Sequence, residues 1–198
     1  LCDSGGQYKY GTTDVTRTIC FSKQKIYIKN IFTKVLKGHI AVATTNLKKF
    51  NTGKIIDVRA RQFLKKDGLD YAHGTGHGVG FFLNVHEGPQ SISKINSVKL
   101  EKGMVVSNEP GYYKKGFFGI RIENLVYVKK VNGKLFFENL TLAPIEKDLI
   151  NFKLLDKIRT PLERKSQMRQ IRKHRELNMV DFIRTKFKLT TYEWNVMI

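Results

Sequence analysis

The sequence predicts an α+β fold, in which antiparallel hairpins and a pair of helices occupy separate stretches of chain. Two observations carry this. Strand-like runs occur in adjacent pairs at residues 2–17 and 104–137, each pair joined by a short turn-forming segment. Between them, residues 27–43 and 55–66 show apolar spacing of helical period, so the order is hairpin, helices, strands rather than a strict β–α alternation.

The first hairpin is built from Cys2-Asp3-Ser4-Gly5 and Thr12-Thr13-Asp14-Val15-Thr16-Arg17, around Tyr8-Lys9-Tyr10-Gly11. A fold-back near residues 8 and 9 would place Asp3 opposite Asp14. The first helix, over residues 27–43, carries Ile31, Val35, Leu36 and Ile40 on one stripe; the second, over 55–66, carries Ile56, Ala60 and Leu64 and is bracketed by Gly53 and Gly68. His39, on the first helix, reads as a structural residue. Met104-Val105-Val106-Ser107-Asn108-Glu109 reads as a strand stopped by Pro110, and Gly119-Ile120-Arg121-Ile122-Glu123 as a strand of alternating polarity. The linker over residues 111–118 permits a return that sets Glu109 opposite Glu123. Arg121 and Glu123 then share one face, with Ile120 and Ile122 on the other. A last hairpin joins residues 125–128 to 134–137 through Asn132-Gly133.

Two hairpins thus present four acids: Asp3, Asp14, Glu109 and Glu123. Four carboxylates in one cavity repel, so either two are protonated or cations neutralise them. Hard oxygen donors with one imidazole suit Mn²⁺, Co²⁺ or Zn²⁺ better than copper or an iron–sulfur cluster, and two such ions would point to a hydrolase. The imidazole comes from His73-Gly74-Thr75-Gly76-His77-Gly78-Val79-Gly80, where glycine at every second position strips one face and, in an extended chain, leaves His73, Thr75, His77 and Val79 on the other. A phosphate-binding loop is disfavoured because the spacing is not G-x-G-x-x-G and no Gly-Lys-Ser/Thr follows. A helical zinc pair at His73 and His77 is disfavoured too, since each glycine would cost a helix about 1 kcal/mol.

Asp3 to Tyr8, Gly11 to Thr18, His73 to Pro89 and Asn108 to Asn124 together resemble the Xaa-Pro aminopeptidases of the eukaryotic cytosolic type. These sit in the wider group of pita-bread metallopeptidases that also holds prolidase and methionine aminopeptidase. The resemblance runs from Leu1 to about Ile150. It implies a pita-bread fold, of which this chain would be an incomplete half, and release of the first residue from peptides with proline in second position. A hydroxide bridging two metal ions would attack the first peptide bond. By the same resemblance Asp3 binds one metal, Asp14 and Glu123 bridge both, and His77 with Glu109 completes the second. Glu109 also shuttles the proton, while His73 and His86 are substrate-site histidines that orient the peptide and stabilise the developing charge. Arg121 is expected to fix a carboxylate rather than ligate, since a guanidinium has no lone pair to offer. The resemblance favours Mn²⁺, with Co²⁺ or Zn²⁺ as alternatives, peptide substrates with an N-terminal Xaa-Pro pair, and a homodimer of the full-length protein. Prolidase, acting on dipeptides, is the alternative enzyme; an inactive pita-bread binding module is the alternative outside enzymes, disfavoured because all five ligand positions carry the matching residue types.

With 198 residues, the chain has room for one substantial core. The organisation expected is a C-terminal part of the catalytic domain over residues 1–150 and a divergent basic, helical tail over 151–198. Leu1 falls inside a metal-site strand, so partner strands and one further histidine of the family lie outside this sequence, and activity of this chain by itself is not expected. No apolar run approaches the roughly 20 residues of a membrane span. Cys2 and Cys20 lack metal-ligand spacing and are expected as free thiols in a reducing, cytoplasmic setting. The net charge of +19 raises nucleic-acid binding as a different class of function. The run Lys157, Arg159, Arg164, Lys165, Arg169, Arg172, Lys173 and Arg175 reads instead as a solvated helical face, and no aromatic-interleaved groove accompanies it.

Overall fold

A computed structural model describes residues 1–80 and 84–155. The basic tail expected over 151–198, with Lys157 to Arg175 and Trp194, lies almost wholly outside the described residues.

The chain opens with a hairpin of β1 (Cys2–Tyr8) and β2 (Gly11–Arg17). Helices α1 (Ile26–Ala43) and α2 (Gly53–Lys65) follow, then the two-residue strands β3 (Gly76–His77) and β4 (Ser91–Ile92). The second half holds β5 (Val105–Asn108), β6 (Gly111–Lys114), β7 (Phe118–Arg121), β8 (Asn124–Val131) and β9 (Lys134–Asn139). A turn of 3-10 helix at Lys147–Leu149 and the short α3 (Phe152–Leu155) close the described region. All strand pairs are antiparallel, in the order β1-β2, β3-β4, β5-β8-β9 and β6-β7.

Both helices form where the apolar stripes place them. Ile31, Val35, Leu36 and Ile40 are buried against Leu64, Tyr71, Ile120, Ile122 and Leu149, while Ile56 and Ala60 join Ile92, Leu100, Val106, Val126 and Val128 in a second cluster. The helices cross closely at Gly38, where an added Cβ would lie 2.3 Å from the Ala60 carbonyl oxygen. Helix α2 starts two residues earlier than the stripe suggests. Gly53 is its first residue rather than a boundary because the backbone of β4 runs against it: a Cβ there would meet the Ser91 oxygen at 1.8 Å.

The first hairpin corrects the expected register. Tyr8 pairs with Gly11, so the loop is Lys9-Tyr10 and not residues 8 and 9; Asp3 stands opposite Thr16, and Asp14 opposite Gly5. A two-residue shift keeps side chains on their faces, so Asp3 and Asp14 remain on one side as diagonal neighbours, and Gly5 leaves open the space beside the Asp14 carboxylate. In the second half, Asn108 pairs with Asn124 and Gly111 with Arg121, so the register runs on between them and sets Glu109 across from Glu123. Asn132 (φ 49°) and Gly133 (φ 73°) make the turn between β8 and β9.

The glycine-rich segment is not the continuous strand the alternation suggested. Only Gly76 and His77 pair as a strand, with a single bridge from Gly78 to Val106. The chain bends before them, and Thr75 turns away from the histidines to donate to Asp57 on α2 at 2.6 Å. The glycines serve close approach: a Cβ on Gly76 would lie 1.9 Å from the Ser107 oxygen, and one on Gly78 2.0 Å from that of Glu87.

Candidate metal centre

The predicted ligands arrive from four separate parts of this framework. Asp3 and Asp14 come from the hairpin β1-β2, His77 from β3, Glu109 from the residue after β5, and Glu123 from the link between β7 and β8. The hairpin is tied to that link by Glu123 N donating to the Thr16 carbonyl at 3.1 Å, and by Thr18 Oγ1 bonding both the N–H and the carbonyl of Arg121. Buried Arg17 donates to Glu123 O, to Thr16 O at 2.8 Å and to Asn124 Oδ1 at 2.6 Å, which fixes both strands. Ile120 and Ile122 enter the core, so their neighbours Arg121 and Glu123 share the opposite face.

The result is a compact set of donors. One ligand atom each from Asp3, Asp14 and Glu123 lie within 4.8 Å of one another, as do those of His77, Glu109 and Glu123. His77 Nε2 stands 3.2 Å from Asp14 Oδ2 and 3.4 Å from Glu109 Oε1. Its Nδ1 is 2.9 Å from the Gly78 carbonyl, which can only accept, so Nδ1 carries the proton of the neutral ring. Nε2 then offers a lone pair to two carboxylates that also offer only lone pairs. That arrangement is stable only with a proton or a cation among the three groups, and the donor chemistry fits a divalent ion.

The electrostatics agree. Burial, then the charges of Glu109, Asp14 and Asp3, push the Glu123 carboxyl up to about 7. Burial also raises Glu109 against the opposing pull of His77, Ser107 and Arg121. For His77, burial works against the charged ring, but the hydrogen bond to Asp14, the Gly78 carbonyl and the Glu109 charge prevail, and its pKa lies above the ordinary value. Glu109, Glu123 and His77 thus all hold their protons more tightly than usual, as expected of a buried site rich in carboxylates.

Arg121 stands beside the cluster. It pairs with Asp3, lies 3.9 Å from Glu109 Oε2, and donates to Thr16 Oγ1 at 3.0 Å and Tyr113 OH at 3.0 Å. His73 lies at the rim with Nε2 2.8 Å from the same Tyr113 hydroxyl. His86 stacks on His77, ring centres 3.8 Å apart, and offers a nitrogen within 4.8 Å of donors from Asp14 and His77. A cavity of about 470 Å³ opens beside these groups, lined by Asp3, Gly5, Gly6, Thr12, Asp14 and His86 among others. His39 is apart from all of this: fully buried, with Nδ1 3.0 Å from the Asn108 carbonyl, it is pushed down to about 3 by burial and by Arg17.

Three participants escaped the reading of the sequence. Thr16 Oγ1 donates to Glu123 Oε2 at 2.5 Å, Ser107 Oγ donates to Glu109 Oε1 at 2.9 Å while accepting from His77 N, and Tyr113 joins His73 to Arg121. For Thr16 and Ser107 a signal existed: each lies two residues along a strand from an acid, Asp14 or Glu109, and therefore on its face.

A pita-bread arrangement of hairpins and helices around clustered carboxylates and a histidine defines a metallopeptidase. The chain belongs to metallopeptidase family M24, whose pattern matches residues 1–130. It is 53% identical over 167 residues to the probable Xaa-Pro aminopeptidase P of Laccaria bicolor, covering 79% of this chain and 26% of that protein. Its fold matches that of the X-prolyl aminopeptidase of Caenorhabditis elegans, a cytosolic enzyme with a di-nuclear active site. That match has a TM-score of 0.72 and 37% identity, and covers 87% of this chain and 29% of the other. The prolidase of Pyrococcus furiosus matches at a TM-score of 0.62 and 30% identity over 70% of this chain and 40% of that one. The chain spans about a quarter of the length of the curated relatives it matches.

Proposed function

We propose that this chain forms part of the catalytic domain of a dinuclear Xaa-Pro aminopeptidase, which removes the first residue of peptides whose second residue is proline. The observation that carries the reading is the convergence of Asp3, Asp14 and Glu123, and of His77, Glu109 and Glu123, in two groups that share Glu123 and whose ligand atoms lie within 4.8 Å of one another, in a chain similar to aminopeptidases of that specificity. Two divalent ions held by these five residues would supply Lewis-acid chemistry, lowering the pKa of water and polarising the peptide carbonyl. Asp14 and Glu123, each in reach of donors on both sides, are the bridging candidates; Asp3 serves one ion, His77 and Glu109 the other.

The protein's own groups complete the chemistry. Glu109, with its raised pKa and a hydroxyl donor from Ser107, is suited to take a proton from the attacking water and return it to the leaving amine. His73 and His86 orient the peptide at the rim and donate to the carbonyl oxygen as it gains charge. Arg121 holds Asp3 in place and balances part of the negative charge. Mn²⁺ is the favoured ion, with Co²⁺ and Zn²⁺ as alternatives of similar ligand preference. The cytoplasm is the proposed location, in keeping with the cytosolic enzyme of similar fold, and the full-length protein is proposed to form a homodimer. Among the described residues no helix is long and apolar enough to cross a membrane.

The test is hydrolysis by the full-length protein with added Mn²⁺. Release of the first residue from tri- and longer peptides beginning Xaa-Pro, abolished by a chelator and restored by metal, is the expected result. Cleavage confined to Xaa-Pro dipeptides would establish the prolidase reading, which the lower but substantial likeness to a prolidase keeps as the second candidate. Metal binding without cleavage of either would establish the binding-module reading.

A further inference from the structure

Outside the carboxylate cluster, α2 carries a second charged assembly that is almost completely buried: Asp57 and Arg61 are 1% and 2% exposed, and Thr75 is inaccessible. Four N–H groups of the Arg61 guanidinium are engaged. Nε donates to Asp57 Oδ2 at 2.7 Å; one terminal nitrogen donates to Asp70 Oδ1 and to the Tyr71 carbonyl, both at 2.7 Å; the other donates to the His73 carbonyl at 2.6 Å. The guanidinium also lies 3.9 Å from the centre of the Tyr71 ring, which in turn packs on the His73 imidazole at 4.8 Å.

The hydrogen bonds have a direction. Asp57 accepts the Thr75 hydroxyl at 2.6 Å, so Thr75 must receive the Tyr71 hydroxyl rather than donate to it. Every residue from 70 to 75 except Ala72 and Gly74 is thereby tied to α2 by a side chain or carbonyl. Thr75 passes the constraint on, because its carbonyl accepts the Glu109 N–H at 2.8 Å. A buried Arg is costly to desolvate, and a fold that needed only a helix–loop contact could use apolar packing instead. What an apolar contact could not do is hold the His73 carbonyl and ring at once.

We propose that Arg61 is a positioning residue for the proposed peptidase reaction: through its bond to the His73 carbonyl and its stack on Tyr71, it sets the His73 imidazole toward substrate. The inference rests on the reading that His73 serves substrate. Arg61 touches none of the five proposed metal ligands, so its larger effect is on turnover, with two metals retained. Burial, aided by the charges of Arg121 and Arg61 against the Gly74 carbonyl, also holds the His73 ring below the ordinary histidine value.

The experiment compares Arg61→Lys, His73→Ala and the double variant in the full-length, metal-loaded protein, with kcat normalised to bound metal. Lysine keeps the charge but cannot reach four acceptors in the fork geometry of arginine. Arg61→Lys should lower kcat about tenfold or more with two metals retained, and should add little to the loss in a His73→Ala background. In the Zn²⁺-loaded, ¹⁵N-histidine-labelled protein, the His73 ring resonances should shift while those of His39 stay in place. If His73→Ala leaves kcat unchanged, the substrate role of His73 fails, and this inference with it. If His73→Ala lowers kcat but Arg61→Lys leaves it within about twofold, or the two losses multiply, the positioning role alone is overturned. Should Arg61→Lys not fold, Asp70→Ala is the substitute, since Asp70 is about one-third exposed and its truncation removes one acceptor from the same guanidinium. A kcat loss of about threefold or more that disappears in the His73→Ala background then supports the role, and an unchanged kcat overturns it.

Discussion

The Thr16 hydroxyl donates to Glu123 Oε2 at 2.5 Å while accepting from Arg121 Nε at 3.0 Å, so one side chain of β2 fixes both the last residue of β7 and the glutamate that follows it. A carboxylate held in one orientation is the condition for bridging two ions. Replacing Thr16 by Val keeps the branched shape and removes the donor. A hydrogen bond to a charged group contributes about 1.5–3 kcal/mol, so metal affinity should fall about 10- to 100-fold. Calorimetric titration of the metal-free full-length protein with Mn²⁺ measures this, and an unchanged affinity would remove Thr16 from the site.

Glu123 and His86 should separate metal retention from turnover. Glu123→Gln should lose metal and rate together, because a neutral amide is a poor bridge between two cations. His86→Ala should keep near-normal metal content with a reduced rate, although the stacking of His86 on His77 gives it a nitrogen within reach of the same donors. Elemental analysis beside kinetics decides; metal loss in His86→Ala as large as in Glu123→Gln would make His86 a ligand.

The alternating glycines around His77 are not equivalent, although in the sequence they look so. A Cβ on Gly74 would meet its nearest neighbour, the Ile92 oxygen, at 3.5 Å, an ordinary contact, whereas one on Gly76 would fall 1.9 Å from the Ser107 oxygen. Gly74→Ala should therefore change thermal stability by no more than about 1 kcal/mol, and Gly76→Ala should destabilise by about 3 kcal/mol or more while displacing His77 from Ser107. Thermal melts of the two variants test the contrast.

How far the sequence could be read depended on which signals survive a change of register. Side-chain alternation survives a shift of two, so Asp3 and Asp14 were assigned to one face even though the turn is at Lys9-Tyr10 and the residues are diagonal, not opposed. Glu109 across from Glu123 was legible because Pro110 ends one strand and the hairpin beyond it, β6 to β7, returns in continuous register. The helices were legible from their stripes, but the start of α2 was not, because Gly53 is demanded by β4, which is distant in sequence. The same holds for Thr75: alternation grouped it with the histidines, and only the buried Asp57 shows why it turns away. Asp57 and Arg61, four residues apart on α2, carry no signal in the sequence that separates a buried pair from a solvated one.

The raised pKa of Glu123 predicts opposite pH dependence with and without metal. Its folded value of about 7 lies above the ordinary glutamate value of 4.5, so between those pH values the metal-free folded protein keeps a proton that the unfolded chain has lost. The stabilisation from this group is therefore complete below about pH 4.5 and disappears as pH rises to about 7, on the order of a few kcal/mol at most. His39 acts in the reverse sense. Its folded value near 3 makes the fold weaken as pH falls below 6.5, so the raw melting curve mixes the two. The difference between wild type and Glu123→Gln isolates the glutamate, since His39 is common to both. That difference should favour wild type at pH 5 and diminish or change sign by pH 7.5 in chelator. With saturating Mn²⁺ it should instead grow toward pH 7.5, because ligation requires the ionised carboxylate and the cation competes with the proton. A difference that is independent of pH under both conditions would show that Glu123 neither titrates near neutrality nor holds metal.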